Sequence, residues 1–502
     1  MKRTGSALLA TVLTVGGLIA VAGPATAAGC DSEVQTRGDL DGDGTTDVVV
    51  GMPSQNDQAG VIDVRYTGRP SQVITAGQLG GFGGEGTYFG SAVAVGDLDG
   101  DGCGDLVVGA LREGDTGSGY PGAVHIVFGS PDGLVIGSAI TLPYTKSTGT
   151  SFDDFGSALA LTKRAGTDDV HDLYVGAPGR TVGGHASAGG VVHYTITPSG
   201  TASRVTVGSP SVATQDSPGV PGAAEANDRF GEELTADFYR AGVFAGASLE
   251  DVGSAKDAGA IWWLGLAADG AWGTSATYSQ NTAKVPGTAE AGDHFGAALS
   301  IRGAYLAVGV PDENDGSKKD SGMVQLFRQT TAGTLSPFKT AFTQDSPGVP
   351  GAVEAGDRFG AAVAMGSAIF CQESVDVAVG APGEDVGSKA DAGTVTLYSL
   401  VNVCPAKALR QGSGLNGATE AGDAVGGVLT ISRGRTDLDE DYSDRLLVGV
   451  PLEDIGAVTD AGMVESTNPS IRVNGASLTN LQFSGGFINT RRYGQVLASS
   501  SD

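Results

Sequence analysis

Short runs in which small apolar residues alternate with polar or glycine positions recur along the whole chain. One signature opens with an aromatic–glycine pair: "YFGSAVAV" at 88–95, "DFGSALAL" at 154–161, "RFGEELTA" at 229–236, "HFGAALSI" at 294–301 and "RFGAAVAM" at 358–365. It returns with valine in "AVGGVLTI" at 424–431 and with tyrosine in "RYGQVLAS" at 492–499. A period of two predicts half-buried strands. A second signature is more uniformly apolar: "VVVGMP" at 48–53, "LVVGAL" at 106–111, "LYVGAP" at 173–178 and "VFAGAS" at 243–248. "LAVGVP" ending at Pro311, "VAVGAP" at 377–382 and "LLVGVP" at 446–451 complete the set. A third strand often follows an acidic glycine loop, as in "GAVHIVF" at 122–128. The first signature recurs every 64–75 residues. One unit therefore holds about four short strands, the size of a propeller blade.

Each signature occurs seven times, but the two sets are out of phase. The first GAP-like strand has no aromatic–glycine strand before it, and the last aromatic–glycine strand has no GAP-like strand after it. A ring resolves this if the strand at 492–499 completes the blade begun at the N-terminus, which also removes two exposed sheet edges. The expected fold is all-β: a seven-bladed propeller closed by the C-terminal strand, occupying residues 29–502. The segment "DSEVQTRGDL" at 31–40 can also be aligned onto the missing strand, in which case the tail packs elsewhere.

Composition agrees with a turn-rich β protein. Glycine accounts for 82 of 502 residues, more than twice the usual share of about 7%, without a collagen period. The formal charge of −27 repels nucleic acid and anionic membranes and favours cations. Residues 1–28 read as a signal peptide: Lys2 and Arg3, an apolar stretch from Ala7 to Ala22, then "ATAA". This predicts a secreted, extracellular protein without a transmembrane segment. A lipoprotein leader with Cys30 lipidated is the alternative, although Ala27 stands where leucine is usual. Four cysteines allow three pairings. Cys371 and Cys404 lie within one repeat length, which favours that bridge and leaves Cys30 with Cys103.

Two acidic loops carry the chemistry. "GDLDGDGTTDVVVG" at 38–51 places Asp39, Asp41, Asp43 and Asp47 at positions 1, 3, 5 and 9, and "GDLDGDGCGDLVVG" at 96–109 repeats this with Asp97, Asp99, Asp101 and Asp105. Four carboxylates in nine residues repel one another unless a cation lies among them. With the carbonyls of Thr45 and Cys103 at position 7, the hard oxygen set suits Ca²⁺. Position 12 is Val50 or Val108 and the flanks are strands, so these are not EF-hands. The ordered copies resemble the FG-GAP repeats of the integrin alpha-subunit propeller and of many secreted bacterial proteins. That resemblance covers the mature chain and implies the same five calcium-ligand positions in each hairpin loop. Ser248, Val425, Tyr493 and Leu111 depart from the pattern. "DLDEDYSD" keeps Asp437, Asp439 and Asp441 as a degenerate site, with Arg445 at position 9. In the third unit Arg164 replaces position 1 opposite Asp172, and no calcium is expected there.

A second acidic set precedes the aromatic–glycine pairs (Glu225/Asp228, Glu290/Asp293, Glu354/Asp357, Glu420/Asp423) or follows the GAP strands (Glu250/Asp251, Glu384/Asp385, Glu453/Asp454). A catalytic carboxylate pair occurs once; recurrence in several blades points to turns and inter-blade hydrogen bonds. The five histidines show no paired zinc spacing, and His171 and His294 read as surface residues. No nucleophile elbow or P-loop is present. The expected function is a calcium-stabilised binding or adhesion module for an extracellular protein, glycan or cell-wall ligand. The alternatives are a hydrolase with a site at the propeller centre and a structural envelope protein. Exposure of Trp262 or Trp263 would favour glycan binding, although "AIWWLG" reads first as a strand with one tryptophan buried.

Overall fold

The computed structural model describes residue 30, residues 38–114 and 119–466 apart from 150–151, 165–166, 168, 201–202, 237–240, 268, 331–333, 372–373, 402–403, 433–443 and 457, and thereafter 472–473, 476–477, 480–481, 496–497 and 499–500. Residues 1–28, read above as a signal peptide, and Asp437, Asp439 and Asp441 lie outside these residues.

Among the described residues seven sheets of four or five strands form seven blades, beside a two-stranded ribbon of Arg472–Val473 and Ala476–Ser477. Blade 2 is representative: Phe89–Gly96, Asp105–Ala110, Ala123–Phe128 and Val135–Thr141 form an antiparallel meander. The same order recurs from Glu233–Ala236 to Trp272–Tyr278 in blade 4 and from Ala298–Arg302 to Leu335–Pro337 in blade 5. Blade 1 supplies only Val48–Met52, Val61–Arg65 and Gln72–Ile74 from the N-terminal region. Its innermost strand is Val496–Leu497, which pairs antiparallel with Val48–Met52 through Val50↔Leu497 and Gly51↔Val496. The C-terminal strand therefore closes the ring, while residues 31–37 of the alternative placement lie outside the described residues. Ser499–Ser500 continue onto blade 2, parallel to Phe89–Gly96.

The core is not central. It lies between neighbouring sheets, because each sheet is apolar on both faces and buries them against the next blade. Phe155 and Leu159 of blade 3 pack with Val107 and Ile126 of blade 2. The last such layer joins Val48 and Val50 of blade 1 to Leu447 and Val464 of blade 7 and includes Leu497. The centre is a narrow channel walled by one innermost strand per blade, with small residues such as Ser91, Ser157, Thr235 and Ser300.

The repeated motif owes its residues to the contact between blades. A Cβ on Gly109, the glycine of the GAP-like strand in blade 2, would lie 1.9 Å from the carbonyl oxygen of Gly156 in blade 3. Equivalent approaches join Gly176 to Gly231, Gly246 to Gly296, Gly309 to Gly360 and Gly380 to Gly426. The preceding aromatic ring is driven into the inter-blade core: Phe89, Phe155, Phe230, Phe295 and Phe359 are completely buried, and Val425 takes the same place.

Both expected disulfides are present. Cys30 pairs with Cys103 and Cys371 with Cys404, with Cα atoms 5.2 and 5.8 Å apart. The Cys30 sulfur is thus engaged in a bridge. Both tryptophans, of which one is expected to be buried, and His171, expected at the surface, are more enclosed than the sequence suggests. Trp262 and Trp263 are both buried, since their strand is packed on both faces, and the Trp262 indole N–H donates to the Pro221 carbonyl. His171 is buried too, and its burial pushes the imidazole down to about 4.

Candidate metal centres

In each acidic loop the carboxylates at positions 1, 3 and 5 converge. Asp39, Asp41 and Asp43 can each present an oxygen so that all lie within 4.8 Å of one another, and Asp97, Asp99 and Asp101 do the same. The loop's own amides create this. Asp39 accepts from Gly44 N–H at 2.8 Å and Asp97 from Gly102 N–H at 3.0 Å. Gly44 and Gly102 have φ of +84° and +89°, a left-handed turn that side chains with a Cβ disfavour. Asp43 accepts from Thr45 N–H and Asp101 from Cys103 N–H, which seats position 7 beside position 5.

Position 9 is placed differently. Asp47 accepts from Leu40 N–H and Thr67 N–H, and Asp105 from Leu98 N–H and Gly129 N–H. These aspartates bond the base of the hairpin while facing the charges of the converging three. Burial, then neighbouring carboxylates, pushes Asp47 up to about 9 and Asp105 well above the usual range. Burial also lifts Asp97 to about 6. A cation among the loop carboxylates would offset that cost, and the all-oxygen donor set fits Ca²⁺.

The two loops are neighbours. Gly104 N–H of the second donates to the Asp39 carbonyl of the first at 2.7 Å. Cys30, bridged to Cys103 of the second loop, packs against Gly42 of the first. Arg69 reaches Asp41 at 3.2 Å, and Arg204 from blade 3 bonds both Asp99 and Asp101. In blade 3 itself Arg164 and His193 hold Asp172, at 3.0 Å from Arg164 Nε and 2.8 Å from His193.

The second acidic set forms inter-blade joints. Gln215, Gln280, Gln344 and Gln411 each reach across to the next blade and donate to Glu250, Glu313, Glu384 and Glu453, at 2.5–2.7 Å. Asp228, Asp293, Asp357 and Asp423 instead accept from the backbone amides of Glu225, Glu290, Glu354 and Glu420. Sequence reasoning passed over these glutamines. The signal was available in "TQDSPGVPGA", which occurs at both 214–223 and 343–352.

The opposite end of the blades from the acidic loops carries an aromatic cluster. Arg112 lies 4.8 Å from the centre of the Phe152 ring and 5.5 Å from that of Tyr88. Tyr120 meets Phe152 edge-on at 6.2 Å. Phe82 and Phe152 are 54% and 41% exposed. The left-handed position held by Tyr120 in blade 2 is occupied by Asp257, Asp320, Asp391 and Asp460 in blades 4 to 7, so the aromatic character belongs to one sector of the ring.

The FG-GAP repeat family model matches residues 89–127, from the buried Phe89 through the second acidic loop and into the third strand of blade 2. The chain is 35% identical over 155 residues to phosphatidylinositol-glycan-specific phospholipase D of Mus musculus, covering 29% of the chain and 18% of that protein. It is 34% identical over 146 residues to integrin alpha-PS2 of Drosophila melanogaster, covering 28% and 10%, and 34% identical over 148 residues to integrin alpha pat-2 of Caenorhabditis elegans, covering 28% and 12%. The matches thus span less than a fifth of these relatives' own length. With its motif explained by contacts from blade to blade, the chain carries the FG-GAP repeat, folds as a seven-bladed β-propeller and is similar in sequence to integrin alpha subunits.

Proposed function

We infer that the protein is a secreted, calcium-stabilised binding module that adheres to an extracellular protein or glycan through the aromatic sector of blades 1 to 3. The carrying observation is the grouping of exposed Phe152 with half-buried Tyr120, Tyr88 and Arg112, which breaks the internal repeat. Exposed aromatic rings grouped with an arginine are the composition of binding hot spots. Two disulfides and the integrin alpha relatives support an extracellular setting. No helix among the described residues is long and apolar enough to cross a membrane.

Calcium at Asp39, Asp41, Asp43 and at Asp97, Asp99, Asp101, with the carbonyls of Thr45 and Cys103, would rigidify the hairpin corners at the other end of the ring. Its role on this reading is to hold the binding face in shape. A hydrolase is not favoured, because the paired carboxylates repeat as joints between blades. Affinity capture from culture and cell-wall extracts tests the reading, using wild type with calcium or chelator and the F152A/Y120A variant. A partner retained by wild type and lost at least tenfold in the variant supports it. Equal capture by both proteins would move the binding surface elsewhere.

A further inference from the structure

The two calcium loops differ in what reaches them from outside. In the second loop the backbone amides take one oxygen from each aspartate: Asp101 N–H bonds Oδ1 of Asp99 and Cys103 N–H bonds Oδ1 of Asp101. The remaining oxygen of each, Oδ2, is bonded by Arg204. Arg204 belongs to blade 3, between Val191–Pro198 and Val205–Val207. It also donates to the Gly129 carbonyl at 3.2 Å and lies 4.8 Å over the Phe128 ring of blade 2. In the first loop Arg69 reaches Oδ2 of Asp41, at 3.2 Å, while its other bonds go to the carbonyls of Pro131 and Asp132. In blade 3 the replacement is complete, with Arg164 bound to both oxygens of Asp172.

We propose that Arg204 is an internal counter-cation that competes with calcium for Asp99 and Asp101, making the second loop the weaker calcium site and coupling its loading to release of the blade 3 hairpin from blade 2. This rests on the calcium reading above. A guanidinium and a divalent ion on the same carboxylate oxygens repel each other at close range in a partly buried corner. Calcium must therefore displace the arginine or bind against its charge. The first loop, with one arginine contact on one carboxylate, carries less of this opposition.

Titration of the disulfide-intact protein with calcium chloride by calorimetry tests the proposal. Wild type should show two binding events of unequal affinity, and D41N should leave only the weaker. In R204Q the weaker event should tighten by about tenfold, and R204K, which keeps the charge but loses the fork, should fall between. Hydrogen exchange across 191–207 should quicken when calcium saturates wild type and should not respond in R204Q. Circular dichroism confirms that each variant is folded. Two calcium events that R204Q leaves unchanged or weakens would overturn the proposal while sparing calcium binding. No calcium binding by folded wild type at millimolar concentration would overturn the calcium reading, and the proposal with it.

Discussion

The GAP-strand glycines are set by the neighbouring blade, not by their own strand. Gly109 faces the backbone of Gly156 across 47 residues of sequence, and an added Cβ would meet carbonyl and Cα atoms that cannot swing aside. Gly109→Ala should lower stability by about 1–3 kcal/mol or more by forcing the blades apart, measured by urea denaturation. Gly77→Ala provides the control, since a Cβ there meets nothing within 4 Å; it should stay within about 0.5 kcal/mol of wild type. The aromatic–glycine and GAP signatures were legible as strands because period-two burial is local. Their pairing was not, because it is a contact between repeats. The same limit hid Arg204 and Arg69, whose carboxylate partners lie 103–105 and 28 residues away.

Strands and loops of adjacent blades meet at the glutamine–glutamate joints, and these set a pH dependence. Burial, first among the causes, pushes Glu250 up to about 8 and Glu313, Glu384 and Glu453 up to about 7. Asp228, Glu225 and Asp251 face Glu250 and add to its shift, while Gln215 opposes it. A folded-state value raised above the unfolded one gives stability that is fully present below about 4.5 and is lost as pH rises through about 7–8. These four joints should therefore weaken between about pH 5 and pH 8. The E250Q/E313Q/E384Q/E453Q variant mimics the protonated form, so its melting temperature should exceed that of wild type at pH 8 and vary less with pH. A variant less stable at pH 8, with an unchanged slope, would remove these residues from the account. The recurrence of the glutamates was visible in the sequence and correctly suggested joints. Their glutamine partners were not recognised, because an uncharged residue in a turn carries no chemical signature of its own.

For the whole molecule, stability is spread over seven inter-blade layers, so loss of one corner is felt around the ring. If each loop binds calcium with a dissociation constant of about 10⁻⁴–10⁻³ M, 1 mM calcium adds about 0.4–1.4 kcal/mol per site. Thermal unfolding should shift upward with calcium relative to chelator, and the shift should vanish in D41A/D99A. The ring and its closure were legible because two strand signatures run out of phase by one, a counting argument that needs no side-chain detail. The contact between the two acidic loops, clasped by Cys30–Cys103, joins consecutive repeats and was not read from the sequence. Closure of the ring also has a timetable. The strand Val48–Met52 waits for Val496–Leu497, more than 440 residues later, and at about 5–20 residues per second that is about 20–90 s of synthesis. Until then the first blade presents a bare apolar edge able to pair with any other chain. The newborn chain is therefore open to pairing with its own copies until Val496–Leu497 emerges, and its yield should fall as its concentration rises during that interval.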